Sequence, residues 1–341
     1  MSSLMEKEIL ETPSLLLSGL EQCGSAVDTV AQRIKKDKIN KIFVACRGSS
    51  ANAGQYFRYS LEIDSGIPVY EVYPSVVTVY GSFPDMTGGI LLVISQGGRG
   101  VDIRCVAEGA KSNGIPTVAV TAYPDSPIGE LCDYIIPLPV GVEESMAATK
   151  SFTAELFVLK MLSDALSGKN SDYCAYMNAF ENVLANRAKI GKKCEQYVQC
   201  GPVYVIGRGK TLPLAREMCC KLQETCLINA FPFSSADFMH GPFALADSNA
   251  RTILFHSKYG ASASVLELMK ALTGQRAEVL LITDDDAFEG SDSALVVKSD
   301  SEDESVFAMT AVLQYFACRT SGLRGTNPDT SRNLSKYTET L

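Results

Sequence analysis

Three charged residues on one predicted helix carry the clearest chemistry in the sequence. Glu217, Lys221 and Glu224 are spaced by four and then three residues, so a helix places them on one face. His240 follows Glu224 by 16 residues, in a His-Gly-Pro turn. Carboxylates and imidazoles commonly move protons at neutral pH, so the pattern indicates proton transfer. The alternatives are a surface ion pair of Glu217 and Lys221, worth about 0.3–0.5 kcal/mol, and a structural histidine.

Two glycine-containing loops after predicted strands are suited to an anion. One reads Arg47-Gly48-Ser49-Ser50 and the other Ser95-Gln96-Gly97-Gly98-Arg99. Backbone N–H groups and hydroxyls at the start of a helix can surround an anion, and the helix dipole favours negative charge there. Neither loop matches the GxGxxG or GxxxxGK[ST] patterns, so a phosphate ester smaller than a nucleotide is predicted. The alternative is a turn of glycine and serine that binds nothing.

A third polar segment runs from Glu143 to Ser151 and opens a long helix of periodic apolar residues. It places hydroxyls and the cation of Lys150 in the first turns of that helix, next to Ala147 and Ala148. The hydroxyls either cap the helix or contact a substrate.

The predicted strands repeat along the chain. Short β-branched apolar runs alternate with longer helical stretches, which is typical of parallel sheets covered by helices. Arg208, in a second Arg-Gly loop, follows Arg47 by 161 residues. Four pairs of runs share this pitch: 41–46 with 203–206, 90–95 with 252–257, 118–122 with 279–283, and 134–138 with 295–298. The spacing predicts a duplicated α/β domain, although any α/β chain can show strands at a similar pitch.

Composition limits the remaining classes of function. A length of 341 residues predicts two domains, and 46% hydrophobic with 21% charged residues is ordinary for a globular protein. A net charge of -8 disfavours nucleic acid as a partner. No signal sequence and no apolar run of about 18 residues is present, which predicts a cytoplasmic protein without a membrane partner. Eleven cysteines without a CxxC pair and two histidines predict reduced thiols and no metal.

Six motifs in order resemble a known family. They are VACRGSS, ISQGG, ESMAATKSF, AREMCCKLQET, FMHGPFALAD and RNLSKYTETL. Together they resemble the SIS (sugar isomerase) domain, present twice over nearly the whole chain, as in the isomerase half of glucosamine-6-phosphate synthase. No glutaminase half precedes them, which disfavours glutamine-driven amination. With the ending Arg324-Gly325-Thr326-Asn327-Pro328-Asp329, the chain resembles the second type of glucosamine-6-phosphate deaminase, and related chains are deglycases of phosphorylated fructose-amino-acid adducts.

The resemblance implies an α/β fold of two tandem SIS domains, each a three-layer αβα sandwich around a mainly parallel sheet. The expected boundaries are a helical segment at 1–28, the first SIS domain at 29–170, the second at 171–325, and a tail at 326–341 that enters the sugar site. The family also implies a homodimer with sites near the subunit interface.

The resemblance also implies roles for individual residues. Glu224 falls at the proton-transfer carboxylate and His240 at the ring-opening histidine. Lys336 falls at a tail lysine that contacts the open-chain carbonyl, and the alternative is a solvated lysine near a frayed end. The two loops, with Ala147, Ala148, Lys150, Glu217 and Lys221, are expected to contact the phosphorylated sugar. The chemistry requires no cofactor.

The sequence departs from the family in its second loop. Close relatives read Ser-Gln-Ser-Gly, then an acidic or polar residue and a hydroxyl, whereas Gly97, Arg99 and Gly100 stand here. Arg99 either replaces the missing hydroxyls as a bidentate phosphate ligand or binds the carboxylate of an attached amino acid. Ala148 stands where the synthase has serine, and Asn229 where it has histidine.

Four functions stay open at this stage. The first is deamination of glucosamine 6-phosphate to fructose 6-phosphate and ammonia. The second is a deglycase that splits a phosphorylated fructose-amino acid, and the third a ketose-aldose phosphosugar isomerase. The last is a sugar-phosphate sensor without turnover, which is disfavoured because residues 1–38 lack a basic recognition helix.

Overall fold

The chain folds as an α/β protein with two parallel sheets. The computed structural model describes residues 2–336, and within them two five-stranded sheets form, with every neighbouring pair of strands parallel. The strands are β1 (Lys41–Ala45), β2 (Val69–Glu71), β3 (Gly89–Ile94), β4 (Thr117–Thr121), β5 (Tyr134–Pro137), β6 (Val203–Gly207), β7 (Ala230–Ser234), β8 (Arg251–His256), β9 (Glu278–Thr283) and β10 (Ala294–Val296). The predicted fold class is confirmed.

Helices fill most of the chain between the strands. In chain order they are α1 (Leu4–Ser18), α2 (Leu20–Lys36), α3 (Gly48–Ser65), α4 (Pro74–Thr78), α5 (Val101–Ser112), α6 (Pro127–Leu131), α7 (Lys150–Ser167), α8 (Tyr173–Ala185), α9 (Ala188–Cys194), α10 (Leu212–Cys226), α11 (Ser235–Met239), α12 (Ser262–Gly274) and α13 (Glu302–Arg324). Within residues 2–336, no helix combines the length and the apolar composition that crossing a bilayer requires.

The two sheets have the same topology. The first is ordered β2-β1-β3-β4-β5 and the second β7-β6-β8-β9-β10, which is the order 2-1-3-4-5 in each half. All eight apolar runs that were predicted as strands are strands. Two of the four edge strands, β2 and β7, were missed: β2 has only three residues, and Pro232 interrupts the β-forming residues of β7. Pro232 lies inside β7, a position that an edge strand tolerates.

The duplication extends to the backbone of the loops. Arg47 and Arg208 are both extended, at φ −142° and −149°, and each precedes a left-handed glycine, at φ 54° and 60°. After the third strand of each half, the Gly98 N–H donates to the Ser95 carbonyl at 3.1 Å and the Gly260 N–H to the Ser257 carbonyl at 3.3 Å. The repeat inferred from strand spacing is therefore present in the loops as well.

The chain divides into two compact units, each containing one sheet. The first-repeat unit comprises residues 14–143, 150–171 and 334–336, and the second-repeat unit comprises residues 2–13, 144–149 and 172–333. Each unit thus includes short stretches that are distant in sequence from its own sheet.

In the first-repeat unit, both faces of the sheet are covered by helices. Phe43 and Leu91 point towards α5, where they pack with Ile103 and Val106. The opposite face carries Val44 and Ile94 against Gly54 of α3, where a side chain larger than hydrogen would crowd the strand residues. Helix α7 packs on α2 and α3 and is buried along most of its length. These layers form the predicted αβα sandwich.

The second-repeat unit follows the same plan. Ile206, Leu254 and Leu281 of its sheet pack against Val265 and Leu268 of α12. Helix α13 is buried along most of its length and packs on α8 and α10. Helices therefore pack against this sheet as they do in the first-repeat unit.

Candidate active-site residues

The candidate residues fall into two groups, one in each unit. In a sheet of order 2-1-3-4-5, ligands bind outside the carboxyl ends of the first and third strands, where the connections run in opposite directions. The loops that follow β1 and β3 of the first-repeat unit occupy this position. They are the two loops that the sequence indicated for an anion.

The loop after β1 is organised by two carboxylates from distant helices. The Arg47 Nε donates to Asp102 Oδ2 at 2.7 Å, and Asp102 is buried while the arginine side chain remains 54% exposed. The Ser50 hydroxyl donates to Glu155 Oε1 of α7 at 2.8 Å. Ser49 lies in the same first turn of α3, half-buried. A Cβ on Gly48 would have no atom within 4 Å, so the loop surface is open at this glycine.

The loop after β3 is a tight turn closed by its own serine. The Gly98 N–H also lies 3.2 Å from the Ser95 hydroxyl oxygen, which accepts from it. Gly98 has φ 61°, and a Cβ there would overlap the Ser126 hydroxyl, so the position requires glycine. The side-chain nitrogen of Gln96 is buried and has no hydrogen-bond partner among the described residues. Because buried donors are almost always paired, this nitrogen is a candidate ligand contact. Gly97 is buried and Arg99 exposed.

Glu143 binds both the start of α7 and the chain tail. Its carboxylate accepts the Ser151 N–H at 3.1 Å and the Ser151 hydroxyl at 2.8 Å. The Lys336 ammonium donates to the same carboxylate at 3.1 Å. Glu143 thus accepts the Ser151 N–H at the start of α7. Lys150 is buried in the first turn of the same helix. Glu143 was not predicted as a site residue, because its partner Lys336 is distant in sequence.

In the second-repeat unit, the three charged residues of α10 meet as expected from their spacing. The Lys221 ammonium lies 3.3 Å from Glu217 Oε1 and 2.8 Å from Glu224 Oε2. Glu217 and Lys221 are fully buried, whereas the Glu224 side chain is 31% exposed. The alternative of a surface ion pair is therefore wrong.

The two carboxylates of this cluster strongly affect the pKa of Lys221. Burial alone would lower the pKa of Lys221, but the two neighbouring carboxylates, Glu217 first, outweigh it and raise the pKa well above its usual value. The ammonium is therefore charged at neutral pH. It neutralises one buried carboxylate and fixes the position of the second, Glu224, at the helix surface.

His240 lies at the end of the short helix α11. Its backbone N–H donates to the Asp237 carbonyl at 3.1 Å. Its ring is exposed and has no side-chain hydrogen bond or ion pair within residues 2–336. The Ser234 hydroxyl oxygen accepts the Asp237 N–H at 3.1 Å and thereby caps α11. The ring is therefore available to a ligand. The second histidine, His256, is buried in β8.

The segment that contains Ala147 and Ala148 is held by partners from both ends of the chain. The Glu8 carboxylate of α1 accepts from the N–H groups of Glu144 and Ser145 and from the Ser145 hydroxyl. The Met146 N–H donates to the Asp329 carbonyl at 3.1 Å. Glu8 is buried, and no local pattern in the sequence indicated its role.

The end of α10 is bound by the segment that follows α13. The Ser331 hydroxyl donates to the Glu224 carbonyl at 2.8 Å, and the Thr326 hydroxyl to the Thr225 carbonyl at 2.7 Å. The Ser331 side chain thus positions the backbone of the candidate proton-transfer residue. Of the predicted tail, residues 337–341 lie outside the described residues.

Comparison with known proteins identifies the family. The SIS domain family matches residues 36–165 and 196–323, so this chain belongs to that family. The chain is 27% identical over 339 residues to the glutamine–fructose-6-phosphate aminotransferase (isomerizing) of Aquifex aeolicus. The match covers 97% of this chain and 57% of that relative, so the chain spans little more than half of the relative's length.

Two solved structures share the fold. The C-terminal domain of glucosamine-fructose-6-phosphate aminotransferase from Francisella tularensis superposes with a TM-score of 0.85 at 21% identity, covering 97% of this chain and 98% of that one. Glucosamine-6-phosphate deaminase from Thermotoga maritima gives a TM-score of 0.79 at 20% identity, covering 99% and 100%. The sequence resemblance to a double SIS protein is confirmed.

Proposed function

We propose that this chain is an aldose-ketose enzyme for phosphorylated amino sugars, and that it converts glucosamine 6-phosphate and water to fructose 6-phosphate and ammonia. The observation that carries the proposal is the charge cluster of α10. Two of its three charged side chains are fully buried, and the third, Glu224, presents a carboxylate at the surface. Burying two charges is costly, and a folded chain retains such an arrangement where a fixed carboxylate is useful.

The loops of the first-repeat unit support a phosphorylated substrate. The buried side-chain nitrogen of Gln96, which has no partner within residues 2–336, and the first turn of α3, with its backbone N–H groups and Ser49, supply donors at the carboxyl ends of β1 and β3. Arg47 adds a guanidinium whose position is fixed by Asp102. Donors around a helix start suit a dianionic phosphate ester better than a neutral sugar.

The deamination follows as a balanced sequence of proton transfers. His240 assists opening of the pyranose ring, which exposes the C1 aldehyde. Glu224 takes the proton from C2 and returns it at C1, while the C1 oxygen gains a proton and the amine nitrogen loses one, so C1 becomes a hydroxymethyl carbon and C2 an imine. Water adds to C2 of the imine, the C–N bond breaks, and ammonia leaves as the C2 ketone forms. Lys221 holds Glu224 in place throughout.

Lys336 has a separate part in this proposal. In the open-chain intermediate its ammonium would contact the oxygen at C1, where negative charge develops as C2 loses its proton. Its present partner is Glu143 at 3.1 Å. Lys336 must therefore exchange the Glu143 carboxylate for the substrate oxygen, and substrate binding competes with this ion pair.

A deglycase is the second candidate, and Arg99 is the observation that favours it. The second loop carries this exposed guanidinium where an acidic or polar residue is expected, and Gly97 and Gly100 stand where hydroxyls are expected. A guanidinium binds a carboxylate in the same bidentate manner as a phosphate. An amino-acid carboxylate on the substrate would therefore suit Arg99.

Product analysis across three substrates separates the candidates. The enzyme is incubated with glucosamine 6-phosphate, with fructose 6-phosphate, and with a 6-phosphorylated fructose-lysine adduct, and the products are followed by NMR. The proposal predicts ammonia and fructose 6-phosphate from the first. Release of free lysine from the third alone would replace the deaminase with a deglycase. Glu224→Gln removes the base at constant shape, and Arg216→Gln is the matched control because Arg216 is exposed on the same helix.

A further inference from the structure

The second repeat contains a loop pair equivalent to the candidate phosphate loops. Arg208 and Gly209 adopt the same backbone conformation as Arg47 and Gly48. The turn from Ser257 to Gly260 is closed by the same hydrogen bond as the turn from 95 to 98. Both lie at the carboxyl ends of the first and third strands of the second sheet, where a sheet of this order binds ligands.

In this second repeat a carboxylate of the chain already occupies the turn. Asp284 Oδ1 accepts the Lys258 N–H at 2.7 Å, and Asp284 Oδ2 accepts the Ser257 hydroxyl at 2.7 Å. The Ser305 hydroxyl, from the first turn of α13, donates to the same Oδ2. Asp284 is buried. One backbone N–H and two hydroxyls therefore surround an internal anion, as they would surround an oxygen pair of a phosphate.

The two repeats differ at this position in sequence. Asp284 directly follows Thr283, the last residue of β9, and its counterpart Ala122 directly follows Thr121, the last residue of β4. The threonines are equivalent because each hydroxyl accepts the N–H two residues further on, at 3.0 Å in the second repeat and 3.2 Å in the first. The first repeat thus has a methyl group where the second has a carboxylate.

Two further acidic residues from the start of α13 fill the same loop pair. The Lys210 ammonium, buried in the loop after β6, donates to Asp303 Oδ1 at 2.7 Å. A Cβ on Gly260 would overlap the carboxylate of Glu302, so that side chain lies directly against the turn. By contrast, a Cβ on Gly48 in the first repeat would meet no atom within 4 Å.

We propose that the loop pair of the second repeat is an anion site of the phosphate class that the chain fills with its own carboxylates, chiefly Asp284. A phosphate ester entering this loop pair would lose its hydration, displace a buried carboxylate and face Asp303 and Glu302 as like charges. The chain therefore has one loop pair open to a phosphorylated ligand, and the second repeat is closed from within. This inference concerns binding alone and does not rest on the proposed reaction.

Counting bound inorganic phosphate by equilibrium dialysis tests the inference. Asp284→Ala, which copies Ala122, removes the carboxylate that the turn binds and leaves Glu302 and Asp303 beside it, and it is expected to bind about one more phosphate per chain than the unaltered protein. Should Asp284→Ala fail to fold, Asp284→Ser carries the same test because a short hydroxyl can still accept the Lys258 N–H. Folding is checked by circular dichroism.

Asp292→Asn is the matched control for net charge. Asp292 is an exposed acid just before β10, at the amino ends of the parallel strands and away from the turn, so its variant should bind no additional phosphate. A gain by Asp292→Asn, or a folded Asp284 variant without a gain, would overturn the inference. If the first repeat binds no phosphate, the unaltered protein binds none, yet the gain of about one remains. The measurement therefore distinguishes a failure of the proposed function from a failure of this inference.

Discussion

The Lys221 ammonium lies 2.8 Å from the Glu224 carboxylate, yet the lysine is fully buried while Glu224 is 31% exposed. Glu217, also fully buried, approaches the same ammonium from one helical turn away at 3.3 Å. The cluster therefore has a buried inner carboxylate and an outer carboxylate that reaches the surface, both beside the Lys221 ammonium. We expect the Glu217–Lys221 pair to affect stability and the Lys221–Glu224 pair to affect turnover.

Replacing Lys221 should destabilise the fold. Lys221→Met leaves the Glu217 carboxylate buried without its cation, which costs about 3–5 kcal/mol in the free energy of unfolding. The double variant Glu217→Gln/Lys221→Met should recover most of that loss, because no uncompensated charge remains. Urea denaturation at pH 7 measures both. Lys270→Met, on the exposed face of α12, is the control and should change stability by less than about 0.5 kcal/mol. An equally small change for Lys221→Met would contradict this reading of the cluster.

Removing the charge of Asp102 should weaken substrate binding more than turnover. Asp102 fixes the Arg47 guanidinium at 2.7 Å from beneath the loop. Asp102→Asn keeps the shape but loses the ionic bond, so KM for glucosamine 6-phosphate should rise about tenfold, with a smaller change in kcat.

Glu108→Gln is the control for Asp102→Asn. Glu108 is an exposed acid on the same helix, paired with Arg104, and its variant should leave KM unchanged. If both variants have the KM of the unaltered enzyme, Arg47 does not contact the substrate.

The free energy of unfolding should decrease at acidic pH because of His256. Burial lowers the pKa of this histidine, and the nearby Asp284 and Asp285 offset the effect only in part. Its folded pKa thus lies below the unfolded value of 6.5. Between the two values the unfolded state binds more protons, so the free energy of unfolding decreases as pH falls below about 6.5, by at most ~1.4 kcal/mol per pH unit.

Removing His256 isolates this contribution. His256→Gln should flatten the pH dependence of the unfolding free energy between pH 7 and 5, because the titrating group is gone. Chemical denaturation at each pH provides the measurement. Equal slopes for His256→Gln and the unaltered protein would contradict the assignment.

Gly98→Ala should lower the free energy of unfolding by more than the strain of a left-handed backbone alone explains. Gly98 has φ 61°, and a methyl group there would overlap the Ser126 side chain. Gly114 is the matched control, since it has φ 70° and open space where a Cβ would lie. Gly114→Ala should lose about 1 kcal/mol of unfolding free energy. Gly98→Ala should lose about 2–4 kcal/mol, because crowding adds to the same backbone strain. Equal losses would show that the turn accommodates a side chain.

The strands were predictable because most are buried on both faces. Runs such as 90–95 and 118–122 are continuously apolar, and they form central strands of the first sheet. The edge strands β2 and β7 were not predicted, because β2 has only three residues, including Glu71, and β7 contains Pro232, which argues against a strand. The expected domain boundaries, the homodimer and the cytoplasmic location stay predictions.

The site was predictable only where it depends on local spacing. Glu217, Lys221 and Glu224 lie on one helix, so their contacts follow from positions four and three residues apart. The acidic partners were missed because each is brought in by tertiary structure. Asp102 reaches Arg47 across 55 residues of chain, and Glu8 reaches Ser145 across 137. Neither separation leaves a signal in a single sequence.

The roles assigned to Glu224, His240 and Lys336 stay predictions. Their motifs resemble those of the family, and the effect of each substitution on turnover tests the catalytic assignment. The departures at Gly97 and Arg99 bear on the substrate rather than on the proton transfer.

The most direct measurement is the rate of ammonia release from glucosamine 6-phosphate, taken for the unaltered enzyme, Glu224→Gln and Arg216→Gln. We expect stoichiometric ammonia and fructose 6-phosphate from the unaltered enzyme and from Arg216→Gln. We expect the rate to fall at least about a hundredfold in Glu224→Gln, because the general base is gone. Ammonia released at an undiminished rate by a folded Glu224→Gln, or no ammonia from the unaltered enzyme, would contradict the proposal that Glu224 is the base of a deaminase.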